Sequence, residues 1–214
     1  MFVFSNLATS IDGKIGTQER GFFLLGTKED HKQMLRLRKK SDAVLIGAST
    51  LRSFKKPIKI PNRKHQPLNV LFSSQLQGIS PEWEYFRDPQ TQRVLFITTP
   101  LDPKRTKAFE KSSEIVVLQK NSRKSPVALQ MMRNLEKRGI HRLLVEGGGG
   151  LMWEFVRGNW LDEIHLTLTP RIVGGSKAPT LVDGVGFRPS DVLGLQLKKV
   201  KRLGNELFLI YQRI

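Results

Sequence analysis

The sequence predicts an α/β protein with a central, mostly parallel sheet closed by a C-terminal antiparallel hairpin. Short apolar runs such as Val44-Leu45-Ile46 and Val70-Leu71-Phe72 recur along the chain, the signature of strands buried on both faces. Segments with helical signals lie between them, the alternation that builds parallel sheets. The last third switches to period-two patterning and carries Gly204-Asn205 between two strand-like runs, a short turn that suggests a hairpin.

Taken in order, the candidate strands are residues 2–8, 42–47, 68–73, 93–98, 114–118 and 142–146. Thr27 is placed to cap a helix with Asp30 at its third position, a capping-box-like start. That helix ends in Arg36, Arg38, Lys39 and Lys40, cations that suit the negative end of its dipole. Ser125-Pro126 reads as N-cap and first residue of a second helix, with Leu129, Met132 and Leu135 as its apolar stripe and Gly139 just past its end. A third helix begins within Gly148 to Leu151 and runs to about Arg157. Ile164, Leu166 and Leu168 alternate with His165, Thr167 and Thr169, as in a half-exposed strand. Residues 192–203 and 206–212 form the hairpin. Loop 53–67 is the longest irregular piece, kept so by Pro57, Pro61 and Pro67. With no internal repeat or linker, residues 1–214 are expected to form a single domain.

Lys plus Arg number 36 against 19 Asp plus Glu in 214 residues, a formal charge of +17. Such an excess attracts polyanions, including nucleic acid and phosphorylated metabolites. The cations are spread over residues 36–40, 55–64, 104–111 and 198–202 and do not alternate with aromatics, which weighs against nucleic acid as the main partner. No apolar run approaches the ~20 residues needed to span a bilayer, so no membrane role is expected. Cysteine is absent, which excludes disulfides and thiolate metal sites and fits a cytoplasmic protein. The histidines at 31, 65, 141 and 165 show no ligand spacing, and no metal is expected.

The strongest local motif is Leu143-Leu144-Val145-Glu146-Gly147-Gly148-Gly149-Gly150-Leu151, read as strand, glycine turn and helix. Glycines let a backbone approach a ligand closely, and a helix N-terminus offers unpaired N–H groups to phosphate. The spacing is neither that of a Rossmann fingerprint nor that of a P-loop. Gly47-Ala48-Ser49-Thr50 repeats the pattern after a buried strand, the end at which open α/β sheets bind ligands. An ordinary N-cap accounts for that segment nearly as well. Asp12-Gly13-Lys14, after the first strand, reads locally as a plain turn.

Together these pieces resemble the reductase domain of bifunctional riboflavin-biosynthesis proteins, a branch of the three-layer dihydrofolate-reductase-like fold. The resemblance runs through Ala8-Thr9-Ser10-Ile11-Asp12-Gly13-Lys14, Leu35-Arg36-Leu37-Arg38, residues 42–52, Leu144-Val145-Glu146-Gly147-Gly148, Leu161-Asp162-Glu163-Ile164 and Pro170-Arg171-Ile172-Val173-Gly174-Gly175, in that order. It implies NADPH as hydride donor, a ribosylamino-pyrimidine 5′-phosphate as substrate and a homodimer formed through the C-terminal strands. Cofactor contacts are then expected from Ala8, Gly47, Thr50, Ser74, Gly147, Gly148, Gly149, Gly150 and Leu151. Asp12, Lys14 and Glu146 are the candidate catalytic residues, their individual roles open. Arg38, Arg52 and Arg63 are the candidates for the substrate's phosphate. After Thr50-Leu51-Arg52 the family's usual Asp is missing and Ser53-Phe54-Lys55-Lys56-Pro57 stands instead. Substrate choice is therefore expected to vary at this loop, where Arg63 stands in for the family's later arginine. The alternatives are a reductase of another substrate, a cofactor sensor without turnover, and a nucleic-acid-binding protein on the same scaffold.

Overall fold

The computed structural model describes residues 1–19, 23–120 and 125–214. Its elements are β1 (Phe2–Thr9), α1 (Lys28–Lys39), β2 (Ala43–Gly47), α2 (Ala48–Phe54), β3 (Leu68–Ser73), α3 (Glu84–Arg87), β4 (Arg93–Ile97), α4 (Pro103–Glu110), β5 (Glu114–Val117), α5 (Val127–Lys137), β6 (Arg142–Val145), α6 (Gly149–Val156), β7 (Glu163–Leu168), β8 (Leu195–Leu203) and β9 (Glu206–Arg213). They build one nine-stranded sheet in the order β5-β4-β3-β2-β6-β1-β7-β9-β8. β1 to β7 pair in parallel, while β9 is antiparallel to both β7 and β8. The predicted fold class holds.

Helices cover both faces, giving three layers. On one side Val3, Leu45, Val70 and Val145 pack with Met131 and Leu135 of α5 and Met152 and Phe155 of α6. On the other, Phe4, Val44, Ile46 and Leu71 meet Leu37 of α1, Leu51 of α2, Tyr85 and Phe86 of α3 and Phe109 of α4. Successive residues of a strand face opposite layers, so β2 must be apolar at every position, and all of it is buried. Gly204, at φ +60°, opens the two-residue turn between Leu203 and Glu206. A glycine in that first position is what primed hairpin turns favour.

Several local expectations change. α5 starts one residue later than predicted, with Pro126 as the N-cap and no side chain capping it. Thr27 does cap α1, its hydroxyl accepting from the Glu29 N–H. The reciprocal half of the box comes from Glu206 across the sheet, not from Asp30. Glu206 accepts from the Thr27 N–H at 2.9 Å and from its hydroxyl at 2.6 Å. Loop 53–67 overlaps the end of α2 and is tied to the core. Ile58 and Ile60 are buried, and their N–H groups donate to the side-chain oxygens of Asn69 and Gln66. α4 carries its own start signal, Asp102 accepting from the Arg105 N–H ahead of Pro103. Among the described residues no helix is long and apolar enough to cross a membrane.

Candidate active site

The chain leaves β2 toward β3 and leaves β6 toward β7, in opposite directions along the sheet, yet β2 and β6 are neighbours. A crevice opens where connections diverge in this way, at the carboxyl ends of the strands. Two clefts of about 290 and 320 Å³ meet there, sharing Ser49, Gly148 and Gly150. The first runs toward Arg52, Ser73, Ser74 and Gln77. The second runs toward Ile15, Phe23, Thr50, Pro179 and Asp183.

The glycine run has a separate reason at each position. Gly147 and Gly148 have φ of +108° and +76°, conformations that L side chains rarely adopt. A Cβ on Gly147 would also sit 3.0 Å from the Thr50 hydroxyl, so the loops after β2 and β6 pack on each other there. A Cβ on Gly149 would run into Thr180 O at 2.5 Å and into the Asp183 carboxylate. Only Gly150 would place a Cβ in open space, and it borders both clefts. α6 starts at Gly149 with no side chain capping it. Its first N–H groups and the positive end of its dipole are the kind of groups that receive an anion.

Glu146, at the exit of β6, is buried, and Arg38 holds it in a two-pronged pair. Arg38 Nε donates to Oε1 at 2.8 Å and an Nη to Oε2 at 2.6 Å. Helix side chains lean toward the helix N-terminus, which lets Arg38 reach back from the end of α1. One edge of its fork is thus taken by Glu146, and Nη1, on the other edge, is the part left for the substrate phosphate expected of it from sequence. Arg63 is a correction. Its guanidinium donates to Lys39 O at 3.1 Å, beside the amino end of β2. The five residues of β2 separate it from the crevice by roughly 16 Å at ~3.3 Å per residue.

Asp12 has a structural task. Its carboxylate accepts from the N–H groups of Val173 at 3.0 Å and Gly174 at 2.7 Å, tying loop 170–175 to the turn after β1. Hydrogen bonds from Ser10 and from those two backbone groups lower its pKa to about 2. At neutral pH it is an acceptor. Lys14 pairs with Thr180 in an isolated antiparallel bridge, and its Nζ lies 3.4 Å from Ala178 O. It borders the second cleft through Ile15 and Pro179. Arg52 lines the first cleft, held by Gln77 O at 2.9 Å and the Ser49 hydroxyl at 3.1 Å.

The structure gathers Gly47, Ser74, Arg52, Gly148, Gly150 and Leu151 around the first cleft, and Thr50 with Gly148, Gly149 and Gly150 around the second. Ala8, Asp12, Lys14, Arg38, Glu146 and Gly147 line neither cleft directly. Asp183 was missed. It accepts from the Thr180 N–H and hydroxyl and donates its own N–H to Gly149 O, closing the loop over the start of α6. The turn chemistry of Thr180-Leu181-Val182-Asp183-Gly184 is the signal that could have found it.

Residues 1–209 match the family described as the RibD C-terminal domain. A 2,5-diamino-6-ribosylamino-4(3H)-pyrimidinone 5′-phosphate reductase of Methanothermobacter thermautotrophicus is 29% identical over 215 residues, covering 98% of this chain and 97% of the relative. The enzyme of the same name from Aquifex aeolicus is 30% identical over 206 residues, covering 92% and 90%. In fold, the chain is similar to a pyrimidine reductase-like protein of Corynebacterium diphtheriae, with a TM-score of 0.81 at 20% identity over 100% of this chain and 92% of that one. It is also similar to RibD of Acinetobacter baumannii, with a TM-score of 0.81 at 17% identity. There the chain is covered completely and spans 58% of the longer protein.

Proposed function

The chain belongs to the RibD C-terminal domain family, and on that premise we propose that it is the NADPH-dependent reductase that acts on a ribosylamino-pyrimidine 5′-phosphate in riboflavin biosynthesis. Residues 1–214 are read as one reductase domain. Its full-length relatives are named as reductases of this substrate class, and this disfavours the nucleic-acid reading of the charge.

The observation that carries the cofactor reading is the uncapped start of α6 at the crevice, with open space above Gly150. These residues fit a dinucleotide: N–H groups and a dipole end for the pyrophosphate, and Arg52 beside Ser74 for a 2′-phosphate. When bound, the cofactor supplies the hydride that reduces the ribose carbon and opens its ring. The remaining task of the protein is orientation. Arg38 fixes both oxygens of Glu146, leaving an oriented acceptor for a substrate hydroxyl or amine. Lys14, next in sequence to Ile15 of the second cleft, is the nearby cation. Holding the reactants in place in this way accounts for much of the catalysis available to such a site.

Under this reading NADPH raises the melting temperature, NADH does so less, and the purified protein oxidises NADPH only when the pyrimidine ribosylamine phosphate is present. Absence of any NADPH protection at low salt would remove the reading. Protection without turnover would leave the cofactor-sensor alternative.

The homodimer rests on a different surface. On the α6 side Trp153, Leu181, Phe187, Val192 and Leu195 line an apolar groove of about 380 Å³. Beside it β8 is an edge strand exposed along almost its whole length, an arrangement that proteins commonly cover. Light scattering is expected to give twice the chain mass, and a monomer at micromolar concentration would refute it. Placement in the cytoplasm rests on the lack of cysteine.

A further inference from the structure

The two clefts of the crevice differ in charge, and each owes its sign to a single side chain. Among the described residues Arg52 is the one charged residue bordering the first cleft, and Asp183 is the one bordering the second. Ile15, Phe23, Phe54 and Pro179 make much of the second cleft apolar, and its hydroxyl residues, such as Thr50 and Ser53, are uncharged. The clefts share Ser49, Gly148 and Gly150. A long ligand laid across both therefore passes from a cation, over the start of α6, to an anion.

The two oxygens of Asp183 differ in their surroundings. Oδ1 accepts from the Thr180 N–H at 3.0 Å and from its hydroxyl at 2.7 Å, which closes the 180–183 turn. Oδ2 takes no part in that turn. It is the atom that a Cβ on Gly149 would meet first. Gly149 borders the second cleft and not the apolar groove that Asp183 also reaches. Among the described residues Asp183 enters no ion pair. Lys14, the nearby cation, donates to Ala178 O instead. The turn does not require the charge, because the side-chain oxygen of an asparagine would accept the same two hydrogen bonds. A full negative charge thus stands at the second cleft beyond what the local structure needs.

That charge bears on which part of a dinucleotide lies there, an assignment that rests on the cofactor reading given above. The positive end of the α6 dipole and the guanidinium of Arg52 suit phosphates. The nicotinamide end is then left to the second cleft. Its ring is neutral in the reduced dinucleotide and carries one positive charge in the oxidised one, while the phosphates of the two forms are the same. A group that meets only phosphates binds both forms alike. The start of α6 disfavours a cation beside it, and a carboxylate at the same place reverses that preference.

We propose that Asp183 sets the balance between the two redox forms of the dinucleotide, its carboxylate favouring the oxidised, cationic nicotinamide over the reduced one. Arg52, facing phosphate in both forms, adds no such preference. The bound couple then has a lower reduction potential than it would have without Asp183, and its reduced form is the stronger reductant for it.

The test measures dissociation constants for NADPH and NADP⁺ separately, by calorimetry, on the full chain and on Asp183→Asn, which keeps the oxygen that accepts from Thr180. The variant should bind NADP⁺ about fivefold more weakly relative to NADPH, the size of a close charge pair at the dielectric of bulk water. That change raises the potential of the bound couple by about 20 mV. Asp183→Ser, whose hydroxyl can accept within the turn, gives the same readout should the amide variant not fold. The ratio of the two constants is decisive, because a damaged turn weakens both forms together. Arg52→Gln should weaken both forms and leave the ratio unchanged. A ratio unaltered in the Asp183 variants, or altered as much by Arg52→Gln, would overturn the proposal, while NADPH binding by the parent kept the cofactor reading in place. A parent that binds neither form would overturn both.

Discussion

Replacing Arg38 by alanine is expected to destabilise the protein by about 3–5 kcal/mol, because it leaves a buried carboxylate without its partner. The Arg38 and Glu146 side chains are only 14% and 9% exposed, so water cannot take over the lost contacts. For a chain of this length the loss corresponds to a fall in melting temperature of roughly 6–20 °C. Turnover should fall even below that temperature if Glu146 acts on the substrate as proposed, since its carboxylate would lose the two hydrogen bonds that fix it. A second variant separates stability from function. Arg38→Met combined with Glu146→Leu replaces the pair with apolar groups of similar size, a change that is often neutral or stabilising. The double variant should melt near the parent while remaining inactive, showing a pair retained for its task at the site. An Arg38→Ala protein that melts with the parent would mean that the pair is not the buried clasp described above.

That clasp also shows where reading the sequence stops. β2 was legible because both its faces are buried, and a short unbroken apolar run suits a central strand better than any exposed element. The hairpin was legible from Gly204-Asn205, where a local backbone requirement selects the residue. Arg38 and Glu146 were both singled out, yet their mutual hydrogen bonds join residues 108 positions apart. No local pattern encodes such a contact, and the resemblance that points Arg38 to a phosphate does not reveal it. Glu206 is the same case at a separation of 179 residues, and its capping of α1 left no trace around Thr27. Arg63 failed for a geometric reason. Its loop is drawn to the amino ends of the strands by Ile58, Ile60 and Asn69, and an alignment by residue type cannot see which end of a strand a loop lies over. The glycine run does sit between a strand and a helix, but the sequence offers one purpose for four glycines where the structure gives them several.

Those purposes predict opposite behaviour for adjacent glycines. Gly150→Ala places its methyl in open space within the first turn of α6. Alanine is favoured over glycine in a helix by roughly 0.5–1 kcal/mol, so the variant should be at least as stable as the parent. Gly150 also borders both clefts, and under the proposed reading NADPH affinity should fall by about tenfold or more, ~1.4 kcal/mol. Gly149→Ala drives its methyl against Thr180 O and the Asp183 carboxylate, groups fixed by the Thr180–Asp183 and Asp183–Gly149 hydrogen bonds. Overpacking of that kind costs ~1–3 kcal/mol, so this variant should lose stability as well as cofactor. Thermal melting with and without NADPH reads both quantities in one experiment. A Gly150→Ala protein that binds NADPH like the parent would take the dinucleotide away from the start of α6. It would also leave the glycine run with packing as its whole purpose: two positive-φ residues and one close approach to the 180–183 turn.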